Sequence, residues 1–100
     1  MIRVVFCGSR FVRISGHAEF AAHGEDIVCA AVTSAFQLCA NGITEILRVD
    51  AQVSIGGDTA SIALPDNSGL AAEAFLSALK LHLTILGEQY PENIEIMEDK

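Results

Sequence analysis

Two residues in this chain have the types and spacing to act together as a nucleophile and its base: Cys29 and, twelve positions earlier, His17. A thiol attacks a carbonyl only as the thiolate, and the usual ways to lower its pKa are a helix N-terminus and a nearby imidazolium. Cys29 is expected to have both. Asp26 reads as an N-cap in front of Ile27-Val28-Cys29-Ala30-Ala31-Val32, which puts Cys29 at the third helical position, among backbone N–H groups that lack helical partners. Those N–H groups can also hold an oxyanion. His17 follows Gly16 at the end of a strand-like segment, where a rigid edge can present the imidazole and the glycine lets a substrate backbone come close.

The same residues have plainer readings. A cysteine on an apolar helix is commonly a small buried hydrophobe, a histidine at a strand end commonly caps or packs, and Asp26 serves first as a cap. His23 is a rival base, and His82 reads as a half-buried residue of a long helix. Cys39 falls near the negative end of the first helix, and Cys7 belongs to a strand. No Asp or Asn is marked out as a third member, so the residues support a dyad.

The elements that position the pair follow from periodicity. Residues 2 to 7 and 10 to 16 read as strands joined by a Gly8-Ser9 turn, and 18 to 25 as a loop that ends in Gly24. A helix follows over about 27 to 40, stopped by Asn41-Gly42. Its apolar residues cover more than one stripe, and a partner subunit can cover one of those sides. Alternation from Val49 to Ile55, and again through Ala60, Ile62 and Leu64, gives a second hairpin around Gly56-Gly57-Asp58. A helix over about 70 to 89 is expected to turn inward Ala71, Phe75, Ala78, Leu79, Leu81, His82, Ile85 and Leu86, with an edge strand over 94 to 97 after Tyr90-Pro91. The order ββαββαβ implies an α/β fold of the α+β type, a two-layer sandwich whose mostly antiparallel sheet carries two helices on one face.

Composition narrows the setting. One hundred residues fit a single domain, and 51% apolar against 19% charged residues favours a compact globule. With 13 acidic and 6 basic residues the formal charge is −7, which disfavours direct binding of nucleic acid and favours a basic polypeptide. Three cysteines without CxxC spacing suit neither a disulfide framework nor a zinc site, and no cofactor is expected. No signal peptide and no charge-free apolar run of membrane-spanning length is read, so the cytoplasm is the expected compartment and no membrane partner is expected.

Gly16-His17-Ala18, followed by Gly24-Glu25-Asp26-Ile27-Val28-Cys29-Ala30-Ala31-Val32, resembles the signature of the Prp family of ribosomal-processing cysteine proteases. The likeness extends through Asn41-Gly42-Ile43-Thr44-Glu45, the Gly-rich hairpin and Tyr90-Pro91. One departure is Thr33, where a serine is expected one turn after the cysteine; the hydroxyl is kept. The resemblance implies that Cys29 and His17 are the catalytic pair. It also implies removal of an N-terminal extension from a large-subunit ribosomal protein, after a hydrophobic stretch ending in aromatic residues, and a homodimer with a flexible loop beside the site. Competing readings are a non-enzymatic ribosome-associated or assembly module, or a thiolate used for redox or acyl-transfer chemistry. The absence of a paired resolving cysteine argues against redox.

Overall fold

Alternation along the strands decides which side of the sheet is buried. Ile2, Val4 and Phe6 of β1 (Ile2–Cys7), Val12 and Ile14 of β2 (Phe11–Ser15), and Ile62 of β4 (Thr59–Ala63) are buried. The residues between them, such as Arg3 and Arg13, face away from the core. The computed structural model describes residues 1–16 and 23–99, apart from the side chains of 23–26. Its remaining elements are α1 (His23–Asn41), a π-helical turn (Gly42–Ile46), β3 (Gln52–Gly56), α2 (Leu70–Gln89) and β5 (Ile94–Asp99). The five strands form one sheet in the order β3-β4-β2-β1-β5, antiparallel except for β5, which runs parallel to β1. Both helices pack on the apolar face, giving the two-layer α+β sandwich and the order expected from the sequence.

The register lines up apolar rows across the sheet. Ile96, Val4, Ile14, Ala60 and Ile55 are consecutive cross-strand partners, and Phe6, Val12, Ile62 and Val53 form the next row. Cross-strand neighbours on one face are the unit of sheet stabilisation. The inner ends of these rows lie under the helices, whereas Ile55 and Val53 on β3 emerge from under them, 68% and 37% exposed. α1 contributes Val28, Val32, Phe36 and Cys39 to the core, and α2 contributes Ala72, Leu76, Leu79 and Leu83. Each set repeats every three to four residues, the spacing of a single helical face.

Several boundaries differ from the sequence expectation. The first turn spans Gly8 to Arg10, because Cys7 pairs with Phe11, and Gly8 supplies a left-handed φ of 59°. β3 starts at Gln52, so Val49 and Ala51 precede it. α1 begins at His23, which places Gly24 and Asp26 inside the helix. Asp26 is therefore not the N-cap, and residues 23 to 25 of the expected loop are helical; residues 18 to 22 lie outside the described residues. Gly42 does not stop the helix. It is buried against Phe75, where a Cβ would overlap the ring, so its role is close approach of α2. The stop comes at Arg48, in left-handed conformation (φ 57°), with Leu47 N–H donating to Gly42 O and Val49 N–H to Ile43 O, both at 3.0 Å. These bonds reach back five and six residues, so the π-helical turn ends in wider rings than an α-helix, and Arg48 takes the left-handed conformation usually given to glycine.

The inner face of α2 is rotated from the expected one. Phe75, Leu79 and Leu86 do pack against the core, but Ala71, Ala78, Leu81, His82 and Ile85 are exposed. Apolar residues occupy so much of this helix that periodicity alone admits more than one stripe. Ile27–Ile46 and Leu70–Gln89 are also long and apolar enough, by length and composition, to cross a bilayer, contrary to the expectation that no such run exists. In this fold each lays a buried stripe on the sheet.

Candidate active site

Helical geometry brings Cys29 to an opening. Val28, Val32 and Phe36 point into the core, and the row one residue later, Cys29, Thr33 and Gln37, is turned by about 100° to the border of that stripe. This row faces the β3–β4 hairpin across a cleft of about 180 Å³. Ile14 and Ala60 make its floor, Ile55 its far wall, and Gly16 with Asp58 closes one end. The surface is apolar below and polar at the rim, where Thr33, Gln37 and Thr59 stand. A concave apolar pocket with a few polar groups is the usual form of a ligand site.

Gly16 is held by three constraints. Its φ is +77°, its N–H donates to Asp58 O at 3.0 Å, and the Met1 carbonyl oxygen occupies the space a Cβ would take. Gly16 is expected to let a substrate backbone come close, whereas the backbone that lies against it is that of Met1. Gly16 thereby fixes the point from which the chain continues to His17. His17 itself lies outside the described residues, as do its distance to Cys29 and any contact with Asp26.

The three thiols have different surroundings. Cys29 is half-buried, free and in the cleft. Cys39 is 4% exposed, donates its S–H to Phe75 O at 3.5 Å, and burial pushes its pKa up to about 11. Desolvation disfavours a charged thiolate, so Cys39 is a packing group. Cys7 alternates with the buried residues of β1 and so faces the opposite side of the sheet. Neither lines the cleft with Cys29, which removes the basis for a dithiol reaction there.

The helix start changes one part of the expected chemistry. With α1 beginning at His23, Cys29 is the seventh helical residue and lies in the second turn. The N–H groups that lack helical partners and the favourable end field both belong to the first turn, and Cys29 lies beyond it. Thr33, exposed and one turn after Cys29, also lines the cleft. Gln37, Asp58 and Ile55 were not singled out from the sequence. Gln37 was legible as the next helical repeat after Cys29 and Thr33, and Ile55 as a partner of Ala60 across the hairpin. Among the described residues no group of three His, Cys, Asp or Glu side chains is placed to hold a metal ion.

A family model described as "Cysteine protease Prp" matches residues 1–95. The chain belongs to this family. As a Prp-family member it is a cysteine protease. The ribosomal processing cysteine protease Prp of Bacillus subtilis (strain 168) is 25% identical over 89 residues, covering 83% of this chain and 80% of that protein. The crystal structure of the essential ribosomal processing protease Prp from S. aureus with a substrate peptide superposes with a TM-score of 0.90 at 24% identity, covering 99% of this chain and 100% of that one. The same S. aureus protease with a covalently linked product peptide gives a TM-score of 0.87, again at 24% identity and with the same coverage. These structures share the α+β fold of this Prp-family chain.

Proposed function

We propose that this protease removes the N-terminal extension of a large-subunit ribosomal protein, cutting after a hydrophobic and aromatic stretch. Cys29 is the nucleophile and His17 the base. The observation that carries the reading is the cleft: of the three cysteines only Cys29 lines it, beside an apolar floor suited to hydrophobic side chains. In the reaction His17 takes the thiol proton and the sulfur attacks the scissile carbonyl. The leaving amine then takes that proton, and water hydrolyses the thioester. The acidic chain, at −7, attracts the basic body of a ribosomal protein while the apolar cleft takes its extension.

The working form is a homodimer in the cytoplasm. A second apolar groove of about 590 Å³ runs between the outer faces of α1 and α2, among Ala31, Leu38, Phe75, Ala78 and His82. Leu38 there is 73% exposed, and Leu81 on α2 is 63% exposed, an apolar surface that a second copy would cover. The decisive experiment incubates the protein with the extended ribosomal protein from the same genome, beside Cys29→Ala. Loss of the extension only with the intact thiol is expected; cleavage by Cys29→Ala, or by neither protein, would end the proposal.

A further inference from the structure

We propose that the substrate peptide binds as a sixth strand along the outer edge of β3, so that backbone hydrogen bonds to this edge hold the scissile bond at Cys29. The inference deepens the reading above and rests on it. β3 is the terminal strand of the sheet, all five of its residues are exposed, and no described residue pairs with its outer side.

Register tells which backbone groups are free. Gly56 pairs with Thr59 across the two-residue turn Gly57-Asp58, the hydrogen-bonded closing pair of such a hairpin. Ladder bonds therefore come from Gly56, Ser54 and Gln52, and the N–H and C=O groups of Ile55 and Val53 point outward. These are the two residues whose side chains extend the apolar rows beyond the helices. Ile55 is also the wall of the cleft that holds Cys29. A strand paired with its backbone is thus continuous with the site.

The two edges of the sheet are built differently. Exposed edges are commonly blunted by charge, proline or bulges, because a free edge recruits other chains. β5 is blunted in this way, with Glu95, Glu98 and Asp99, and with ion pairs from Arg3 to Glu95 and from Lys80 to Glu98. β3 reads Gln-Val-Ser-Ile-Gly, with no charge, no proline and an unbroken register. An unprotected edge beside a reactive thiol fits an extended, neutral peptide backbone, with alternate apolar side chains resting beside Val53 and Ile55.

The test uses Cys29→Ala, which retains the cleft without turnover, and a fluorescent peptide spanning the extension and junction of the ribosomal protein precursor. Binding is measured by anisotropy for peptides N-methylated at one backbone amide at a time. The expected result is a period of two: a loss of roughly 3- to 10-fold at every second amide and little between. Ile55→Pro removes an outward N–H and should weaken binding several-fold more than Ile55→Ala, which removes only the side chain. A flat methylation scan overturns the proposal, and because it uses an unaltered β3 it decides the matter even if Ile55→Pro fails to fold. A flat scan together with loss of dimer mass in Ile55→Pro assigns the edge to a second copy and also overturns it. Cleavage by the wild type with a flat scan refutes only the strand pairing, whereas no binding and no cleavage refutes the functional reading as well.

Discussion

Replacing Gly16 by alanine tests the geometry that delivers the chain to His17. Two costs add. A φ of +77° is unfavourable for any residue with a Cβ, by about 1–2 kcal/mol. The new methyl would also overlap the Met1 carbonyl oxygen, so the start of β1, held by the 2.8 Å bond from Ile2 N–H to Asn93 O, must shift. Overpacking of this kind costs about 1–3 kcal/mol. The sum, about 2–5 kcal/mol, is a large fraction of the roughly 5–15 kcal/mol that stabilises a typical domain. Urea denaturation should show a lower midpoint with an unchanged slope, and peptide cleavage should fall with it as the Gly16 to Asp58 bond is lost. A chain released from a cleavable tag so that it starts at Ile2 separates the two costs: there Gly16→Ala should retain only the conformational one. An equal penalty with and without Met1 would refute the close approach.

Cys29→Ala and Cys29→Ser should abolish cleavage with unchanged circular dichroism, and His17→Ala should lower kcat by roughly a hundredfold or more; near-normal turnover in His17→Ala would shift the base to His23. Iodoacetamide should label Cys29 well before Cys39 under native conditions, because a pKa near 11 rather than 9.0 leaves Cys39 about a hundredfold less thiolate at neutral pH, before its burial is counted; mass mapping of early adducts decides. The same shift makes a prediction in pH. The folded thiol binds its proton more tightly than the unfolded one, so the stabilisation is complete below about pH 9 and is lost as pH rises through 11, by at most about 3 kcal/mol. The unfolding midpoint should fall less between pH 8 and pH 10.5 in Cys39→Ala than in the wild type. Gly42→Ala should lower Tm through overlap with Phe75, and Phe75→Leu in the same chain should recover part of the loss; additive losses would refute the contact.

Much of this architecture was legible from local pattern. Period-two alternation around Gly57-Asp58 located the second hairpin, and the Gly69 and Pro91 neighbourhoods bounded α2 to the residue. Errors arose where one residue type has two uses. Gly42 suggests a stop because glycine is favoured after helices, whereas tertiary packing on Phe75 requires it, and Arg48 carries the left-handed turn instead. Asp26 satisfied a capping pattern, but α1 runs on to His23, and capping preference is a weak prior beside packing. On α2 the excess of apolar residues hid which stripe was inward, since Leu81 and Ile85 serve a surface that sequence periodicity cannot tell from a core. For the site, Cys29 was identifiable from its helix and motif. The opposite wall was legible in part: Ile55 follows from its pairing with Ala60 across the hairpin, whereas Asp58 reaches the cleft through the bond its carbonyl accepts from Gly16.

The parallel pairing of β1 with β5 sets a condition on biosynthesis. Ile2 is aligned with Ile94, so the second strand from one edge gains its last neighbour only once residues 94–99 have been made. Contacts of such long sequence separation slow folding, since a large loop must close before they form. Until then β1 presents Val4 and Phe6 along an unpaired margin, a hazard for a chain still tethered at its C-terminus. The finished sheet therefore waits on residues 94–99, and a chain that lacks them should require chaperone protection rather than show early activity.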